Sequence, residues 1–204
     1  MSPAAPLLLG LALGMRHALD ADHLVAMSTI VTRERSIGRA ALLGGAWGAG
    51  HSLSLFVVGL LVVVFRIPMG PALGAFFERL VGVMLIVLGL ASLFVRHRHR
   101  HAGAEPEPAP LSRRRPFGVG IVHGLAGSGA LAIAVLATIS SRAGALLTIL
   151  LFGVGAIGGM MAITSVMALP ARFGAGAWRG ASWISVAAAL GSVVFGIFYL
   201  TVWA

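Results

Sequence analysis

Long apolar segments alternate with short polar joints along the whole chain. Each segment is long enough to cross the hydrocarbon core of a bilayer, which takes about 20 apolar residues as a helix. Arginine and proline mark most of the joints. The pattern predicts an all-α, polytopic membrane protein with six transmembrane helices, near residues 4–31, 40–65, 72–95, 117–139, 143–169 and 181–203.

The composition agrees with this prediction. Of the 204 residues 58% are hydrophobic, and the mean hydropathy is +0.98. Both values are far above those of a soluble domain. Cysteine is absent, which excludes disulfides and metal sites built from thiolates.

The positive charge is distributed as membrane orientation requires. The net charge is +9, and all fifteen basic residues are arginines. Eleven of them lie in the first, third and fifth joints, and two lie in the second and fourth. Because cytoplasmic loops carry the excess of basic residues, we expect the odd joints in the cytoplasm and both termini outside. This explanation leaves no reason to expect a nucleic-acid partner.

Two short stretches recur in the second half of the chain. GMRHAL, residues 14–19, aligns with GIVHGL, residues 120–125, and WGAG at 47–50 aligns with FGVG at 152–155. The offsets are 106 and 105 residues. Near-equal offsets predict a duplicated three-helix unit, and an odd number of spans gives the two copies opposite orientation. We therefore expect two inverted three-helix repeats, residues 1–95 and 116–204, joined by a cytoplasmic loop, residues 96–115.

The first apolar segment is interrupted by RHALDADH, residues 16–23. This stretch holds one arginine, two aspartates and two histidines in eight positions. A charged side chain at the bilayer centre costs about 2.5–3.5 kcal/mol on insertion scales, so such groups need partners or a bound ion. Imidazole nitrogens and carboxylate oxygens together are ligands of borderline divalent metals such as nickel, cobalt and zinc. The stretch is therefore the first candidate for a metal site.

Two local geometries would bring these side chains to one ion. At about 100° per residue, a continuous helix places His17, Asp20 and His23 on one arc, while Asp22 points away and pairs elsewhere. A helix that unwinds within the motif instead lets Asp22 and His23 turn towards His17. A continuous helix over residues 3–31 would measure about 43 Å, against a hydrocarbon core of about 30 Å. This length favours unwinding.

The alternative to a metal site is a purely structural polar network. Arg16 lies four residues before Asp20, a spacing at which side chains meet on a helix. Their pairing would neutralise one carboxylate and leave Asp22 uncompensated. We favour the metal site, because ionisable groups inside membrane spans are functional by default.

HALDADH, residues 17–23, resembles the signature of the nickel/cobalt transporter family, in which a histidine is followed after four residues by Asp-His. GAGHS, residues 48–52, resembles that family's Gly-His-Ser element. The chain is short for the family and is more similar to its compact relatives, the urease-accessory nickel permeases. The resemblance covers mainly residues 7–60 and, more loosely, residues 116–170. It implies metal transport with His17, Asp22 and His23 as ligands and Asp20 close by.

Two further histidines lie within predicted spans. The resemblance marks His51, in the Gly-His-Ser element, as a ligand or a contact of a ligand. His123 is the repeat counterpart of His17. It could complete the site from the opposite side, or it could be hydrogen-bonded to a neighbouring helix; both interpretations stay open.

The remaining polar clusters are interpreted as peripheral. The central loop is predicted to be disordered. Its His97, His99 and His101 would buffer metal on the cytoplasmic side, but the arginine beside each of them repels cations and favours a basic linker on anionic lipid. Glu78 and Arg79 are interpreted as a solvated ion pair near the outer interface.

The resemblance implies a permease that moves Ni²⁺, or else Co²⁺, into the cell across the cytoplasmic membrane. The ion would be the cargo, no permanent cofactor is expected, and the chain would not be an enzyme. Expected partners are the lipid bilayer and the maturation proteins of a metal-receiving enzyme. An exporter, an intramembrane metal-dependent enzyme and an accessory membrane subunit are the alternatives.

Overall fold

The computed structural model describes residues 4–31, 34, 36–66, 70–102, 112–125, 141–169 and 175–202. These residues are all-helical, as predicted, and form seven helices. The helices are α1 (Ala4–His17), α2 (Ala21–Val31), α3 (Ile37–Val63), α4 (Pro71–Ala102), α5 (Arg114–Gly124), α6 (Arg142–Ala168) and α7 (Ala175–Val202).

Within these residues four helical stretches are long and apolar enough to cross a membrane. They coincide with four of the six predicted segments: Ile37–Val63, Pro71–Val95, Arg142–Ala168 and Ser185–Val202. Most of the predicted segment 117–139 lies outside the described residues. In the first segment, the two short helices α1 and α2 replace one continuous helix, so the favoured break is confirmed.

Helices α3 and α6 begin with the same cap. Ser36 Oγ accepts a hydrogen bond from the backbone N–H of Arg39 at 3.4 Å, and Ser141 Oγ accepts one from the N–H of Gly144 at 3.3 Å. A serine at this position satisfies one of the N–H groups that lack a partner at a helix start. The two serines are 105 residues apart, which is the offset of the sequence repeat.

Large apolar side chains cover the outside of the long helices. Phe94, Trp183 and Val194 are 69%, 74% and 64% exposed. In water a contiguous surface of this kind would promote aggregation. The exposed faces are therefore suited to contact with lipid chains.

The helices pack in two groups. Helix α3 packs along α6, while α1 packs on α6 and α5 packs on α3, so that these four helices form one bundle. Helices α4 and α7 pack on each other as a pair. Helix α2 contacts both groups, and it carries the second half of the polar motif.

Glycines let the helix backbones of the bundle touch at matching positions. A Cβ atom at Gly14 would collide with the carbonyl oxygen of Phe152, and a Cβ atom at Gly120 would collide with that of Trp47. Gly14 aligns with Gly120 and Trp47 aligns with Phe152 in the sequence repeat. The contact of α5 with α3 is therefore the counterpart of the contact of α1 with α6. In the first contact the glycine comes from the second half of the chain, and in the other it comes from the first half.

A second pair of contacts follows the same rule. Gly155 in α6 faces the carbonyl oxygen of Leu11, and Gly50 in α3 faces that of Phe117. Small residues at such crossings allow the close van der Waals packing that holds helices together in lipid. These contacts fix the C-terminal ends of α1 and α5, where His17 and His123 lie.

The expectation of a disordered central loop is wrong at its start. Helix α4 continues to Ala102, so the backbone of residues 96–102 is helical, in keeping with the good helix propensity of arginine. Residues 103–111 lie outside the described part of the chain.

The glycine contacts predict a sharp difference between two alanine variants of α6. Gly155→Ala places a methyl group against the backbone of α1, and overpacking of this kind costs about 1–3 kcal/mol. Gly158→Ala is the matched control, because a Cβ atom there meets nothing within 4 Å. In detergent, thermal unfolding of Gly155→Ala should occur several degrees below that of the unmodified chain, while Gly158→Ala unfolds at or slightly above it. Equal unfolding temperatures would contradict the close helix contact.

Candidate metal site

The polar motif spans the break between α1 and α2. Helix α1 ends with His17, and the N–H groups of Leu19 and Asp20 bond to the carbonyls three residues before them, at 2.9 and 3.0 Å. Asp20 directly precedes α2, and its carbonyl accepts the first hydrogen bond of that helix, from the N–H of Leu24 at 3.1 Å. Aspartate suits a helix start, where negative charge faces the positive end of the helix dipole. The break lets His23, in the first turn of α2, face His17.

His17 is held on both of its nitrogens. Asp20 Oδ2 accepts a hydrogen bond from His17 Nδ1 at 2.9 Å, and His17 Nε2 lies 3.0 Å from His51 Nε2. Asp20 is about one-third exposed, whereas both histidines are buried. A carboxylate on one nitrogen orients an imidazole so that the other nitrogen can bind a metal. Asp20 is therefore placed to position His17.

The pairing of Arg16 with Asp20, the structural alternative to a metal site, is wrong. It assumed a continuous helix, in which positions four apart lie side by side. Because α1 ends at His17, that spacing no longer brings the two side chains together, and Asp20 bonds to His17 instead.

Asp22 is the centre of the polar cluster. Its Oδ1 accepts the backbone N–H of His23 at 2.9 Å and lies 3.0 Å from His23 Nδ1. Its Oδ2 lies 3.0 Å from His123 Nε2 and accepts the Tyr199 hydroxyl at 3.2 Å. The continuous-helix alternative, in which Asp22 pairs elsewhere, is therefore wrong. Asp22 joins side chains from three helices, α2, α5 and α7.

Four imidazoles gather around this carboxylate. The ring centroids of His17 and His23 are 4.6 Å apart, those of His23 and His51 are 5.0 Å apart, and those of His23 and His123 are 4.2 Å apart. All four rings are buried. They come from α1, α2, α3 and α5, so the break and the helix packing together bring them to one place. His123 is hydrogen-bonded to Asp22 on the neighbouring α2, as one of its two interpretations stated, and its ring lies within the cluster. Its role as a metal ligand stays a prediction.

Several nitrogen atoms of the cluster have no hydrogen-bond partner. Among the described residues, His23 Nε2, His51 Nδ1 and His123 Nδ1 are buried without one. Buried polar atoms in proteins are nearly always paired, and an exception needs an explanation. The two carboxylate oxygens of Asp22 accept hydrogen bonds from His23 Nδ1 and His123 Nε2, when the ring protons are assigned from the hydrogen-bond network. The other nitrogen of each neutral ring then carries a lone pair. Lone pairs of this kind are available to a metal ion.

The described residues contain two groups that could hold a metal ion. The first ligand group is His17, His23 and His51, and the second ligand group is Asp22, His23 and His123. Within each group one potential ligand atom per residue lies within 4.8 Å of the others. Imidazole with one carboxylate suits borderline divalent metals, whereas Mg²⁺ and Ca²⁺ prefer oxygen ligands.

The structure adds residues that the sequence analysis missed. One missed residue is Tyr199, the only tyrosine of the chain, which bonds to Asp22. A single phenol in an apolar span indicates a contact with a polar group, because a buried hydroxyl needs a polar partner. Glu78 was interpreted as solvated, which is wrong: it is 6% exposed, and its Oε2 is buried without a partner among the described residues. Its position explains this burial, since Glu78, Val81 and Leu85 lie along the buried face of α4.

The loop histidines lie apart from these groups in the chain. His97, His99 and His101 are at the C-terminal end of α4, where the side chains are outside the described part of the structure. A metal-buffering role for them stays a prediction.

Comparisons with known proteins agree with the family resemblance. No protein-family model and no solved structure matches the chain. The urease accessory protein UreH of Bacillus sp. (strain TB-90) is 32% identical over 204 aligned residues, which cover 95% of this chain and 90% of that protein. A high-affinity nickel transport protein of Cupriavidus necator is 37% identical over 79 residues, which cover 36% of this chain and 22% of that protein.

A similarity of this extent along nearly the whole chain establishes the relationship, and the apolar helices agree with a membrane protein. The chain belongs to the family of the urease accessory protein UreH, as its resemblance to the short urease-accessory relatives of nickel/cobalt transporters predicted.

Proposed function

We propose that this protein is a permease that carries Ni²⁺, or else Co²⁺, across the cytoplasmic membrane into the cell. The observation that supports this most strongly is the buried cluster of four histidines around Asp22. Its donor set matches a borderline divalent metal. The relatives, one named for urease maturation and one for nickel transport, favour nickel as the ion.

The cluster supplies what a dehydrated divalent ion needs. Neutral imidazoles replace part of the water shell and select against magnesium and calcium. Asp22 supplies negative charge inside an apolar protein, where a cation without compensation would be strongly disfavoured. Asp20 orients His17 for this role, and His51 and His123 complete the ligand set from α3 and α5.

We further propose that the chain forms six spans as two inverted three-helix repeats. The first span is the broken pair α1 and α2, as is common at substrate sites of transporters. The matching glycine contacts and the matching serine caps, all at offsets of 105 or 106 residues, support this duplication. Movement of the four-helix bundle, which takes two helices from each repeat, against the α4–α7 pair would expose the ion first to one side of the membrane and then to the other.

The arginine distribution supports an orientation with both termini outside and the central loop in the cytoplasm. An ion leaving on the cytoplasmic side would be received by maturation proteins of a nickel enzyme, which agrees with the name of the UreH relative. We retain the basic-linker interpretation for residues 96–115. An exporter would use the same ligands, so the direction of transport is decided by experiment.

Nickel uptake tests the proposed function. Cells that produce the chain should accumulate radioactive Ni²⁺ above the level of cells with an empty vector, and Asp22→Asn and His17→Ala should reduce that gain more than tenfold, because they remove the central charge and a ligand. Thr164→Val is the matched control, since Thr164 is equally buried but bonds only to carbonyls of its own helix.

The comparison requires equal amounts of each variant in the membrane. Accumulation below that of empty-vector cells would indicate export. Accumulation equal to that of empty-vector cells would contradict the permease and favour an accessory or enzymatic role.

The proposed orientation can be tested with single cysteines, because the natural chain has none. Ser112 and Arg142 are both exposed and lie in the third and fourth joints. In intact cells a membrane-impermeant maleimide should label Arg142→Cys, while Ser112→Cys should react only after the cells are broken open. The reverse labelling would contradict the orientation.

A further inference from the structure

The two ligand groups share one residue and differ in the others. His23 belongs to both, whereas His51 belongs only to the first ligand group and His123 only to the second. The ring centroids of His51 and His123 are 5.9 Å apart, which is further than those of His17 and His51 at 5.1 Å or those of His23 and His123 at 4.2 Å. The cluster therefore contains two overlapping ligand groups.

His23 is built to serve both groups. Its Nδ1 lies 3.0 Å from Asp22 Oδ1, and its Nε2 is buried with no partner among the described residues. A neutral imidazole carries a proton on one nitrogen and a lone pair on the other, so His23 can be a ligand at either position, one position at a time, if its proton moves to the nitrogen that does not bind the ion. At 1% exposure the ring is enclosed by protein, so its contacts are restricted to the cluster.

The two groups also differ in charge. The first ligand group consists of three imidazoles, which are neutral when they bind a metal, while the second contains the carboxylate of Asp22. Two divalent cations on groups that share a ligand would repel each other strongly in an apolar interior. Charge thus opposes filling both positions at once and favours one ion that moves between them.

The two groups draw on different halves of the chain. His17 ends α1, and His123 occupies the matching position near the end of α5. The residues of the first ligand group all come from the first proposed repeat, whereas the second ligand group joins the two repeats through His123.

We propose that the transported ion occupies two positions in turn, one at the first ligand group and one at the second, with His23 as a ligand at both. This inference rests on the proposed transport function. It explains why the second repeat keeps a histidine at position 123 although its counterparts of Asp22 and His23 are serine and glycine.

The test uses the full chain in detergent, radioactive Ni²⁺ as the probe, and equilibrium dialysis as the measurement. His51→Ala removes a ligand only from the first group, and His123→Ala only from the second. We expect the unmodified chain to bind one ion, each single variant to bind one ion within about tenfold of the original affinity, and the double variant to lose more than a hundredfold. Thr164→Val should bind as the unmodified chain does.

The same variants are then placed in liposomes and assayed for Ni²⁺ uptake. We expect each single variant to lose more than tenfold in rate although it still binds the ion, because one of the two positions is missing. His51→Asn and His123→Asn replace the alanine variants if those do not fold. Near-normal binding and slow transport in both single variants, together with lost binding in the double variant, distinguish two positions from one site.

Three results would overturn the two positions. In a single composite site each single variant would lose most of the affinity, and the losses would add in the double variant. If only one group binds, one single variant would lose binding and the other would bind and transport normally. Two ions bound per chain would contradict a single moving ion.

The failure of the proposed function is distinguishable from these results. If the unmodified chain binds Ni²⁺ but does not carry it into liposomes, the proposed permease function is contradicted. The proposal that the ion occupies the two positions in turn during transport is then contradicted as well. The affinities of the variants still decide whether the cluster contains two sites.

Discussion

A buried carboxylate is the constraint on which the rest of the structure depends. Asp22 lies among apolar helices, where an unpaired charge would cost several kcal/mol. Four contacts satisfy it: the backbone N–H of His23, the rings of His23 and His123, and the hydroxyl of Tyr199. These contacts require α2 to begin at the motif and require α5 and α7 to approach it. The site and the helix packing are therefore one arrangement, because Asp22 is bonded to both the four-helix bundle and the α4–α7 pair.

The bundle holds the histidines in place by backbone contact. In lipid, apolar side chains gain little by leaving the solvent, so helix association depends on close packing and on polar bonds. Glycines at the crossings of α1 with α6 and of α5 with α3 supply the close packing. The polar bonds of His17, His51 and His123 lie beside those crossings, so a shift of either helix would move ligand atoms. A rigid bundle next to a separate helix pair is the kind of division that rocking-bundle transport uses.

Much of this could be predicted from the sequence, for physical reasons that are visible in particular residues. Hydropathy predicted the long helices, the cost of five polar residues in the first segment predicted its importance, and the length of that segment predicted its break. The repeat predicted that His123 would correspond to His17, and the structure brings both rings to His23. The family resemblance marked His51, which bonds to His17.

Other features depended on packing that no local pattern contains. The pairing of Arg16 with Asp20 was a helical inference that the break removed. Glu78 was interpreted as solvated because it is charged and close to a span end, but its face of α4 is the buried one. Tyr199 lies 177 residues from Asp22 in the chain, and only the packing of α7 brings them together. The division of the cluster into two ligand groups likewise follows from ring positions that spacing does not give.

The imidazoles around Asp22 are assigned as the ligands of a divalent ion. Nickel K-edge X-ray absorption of the full chain, loaded with one equivalent of Ni²⁺, tests this assignment. We expect the outer-shell scattering of at least two imidazole rings, which Asp22→Asn should weaken because Asp22 holds His23 and His123. A first shell of oxygen ligands alone, without imidazole scattering, would contradict the assignment of the site.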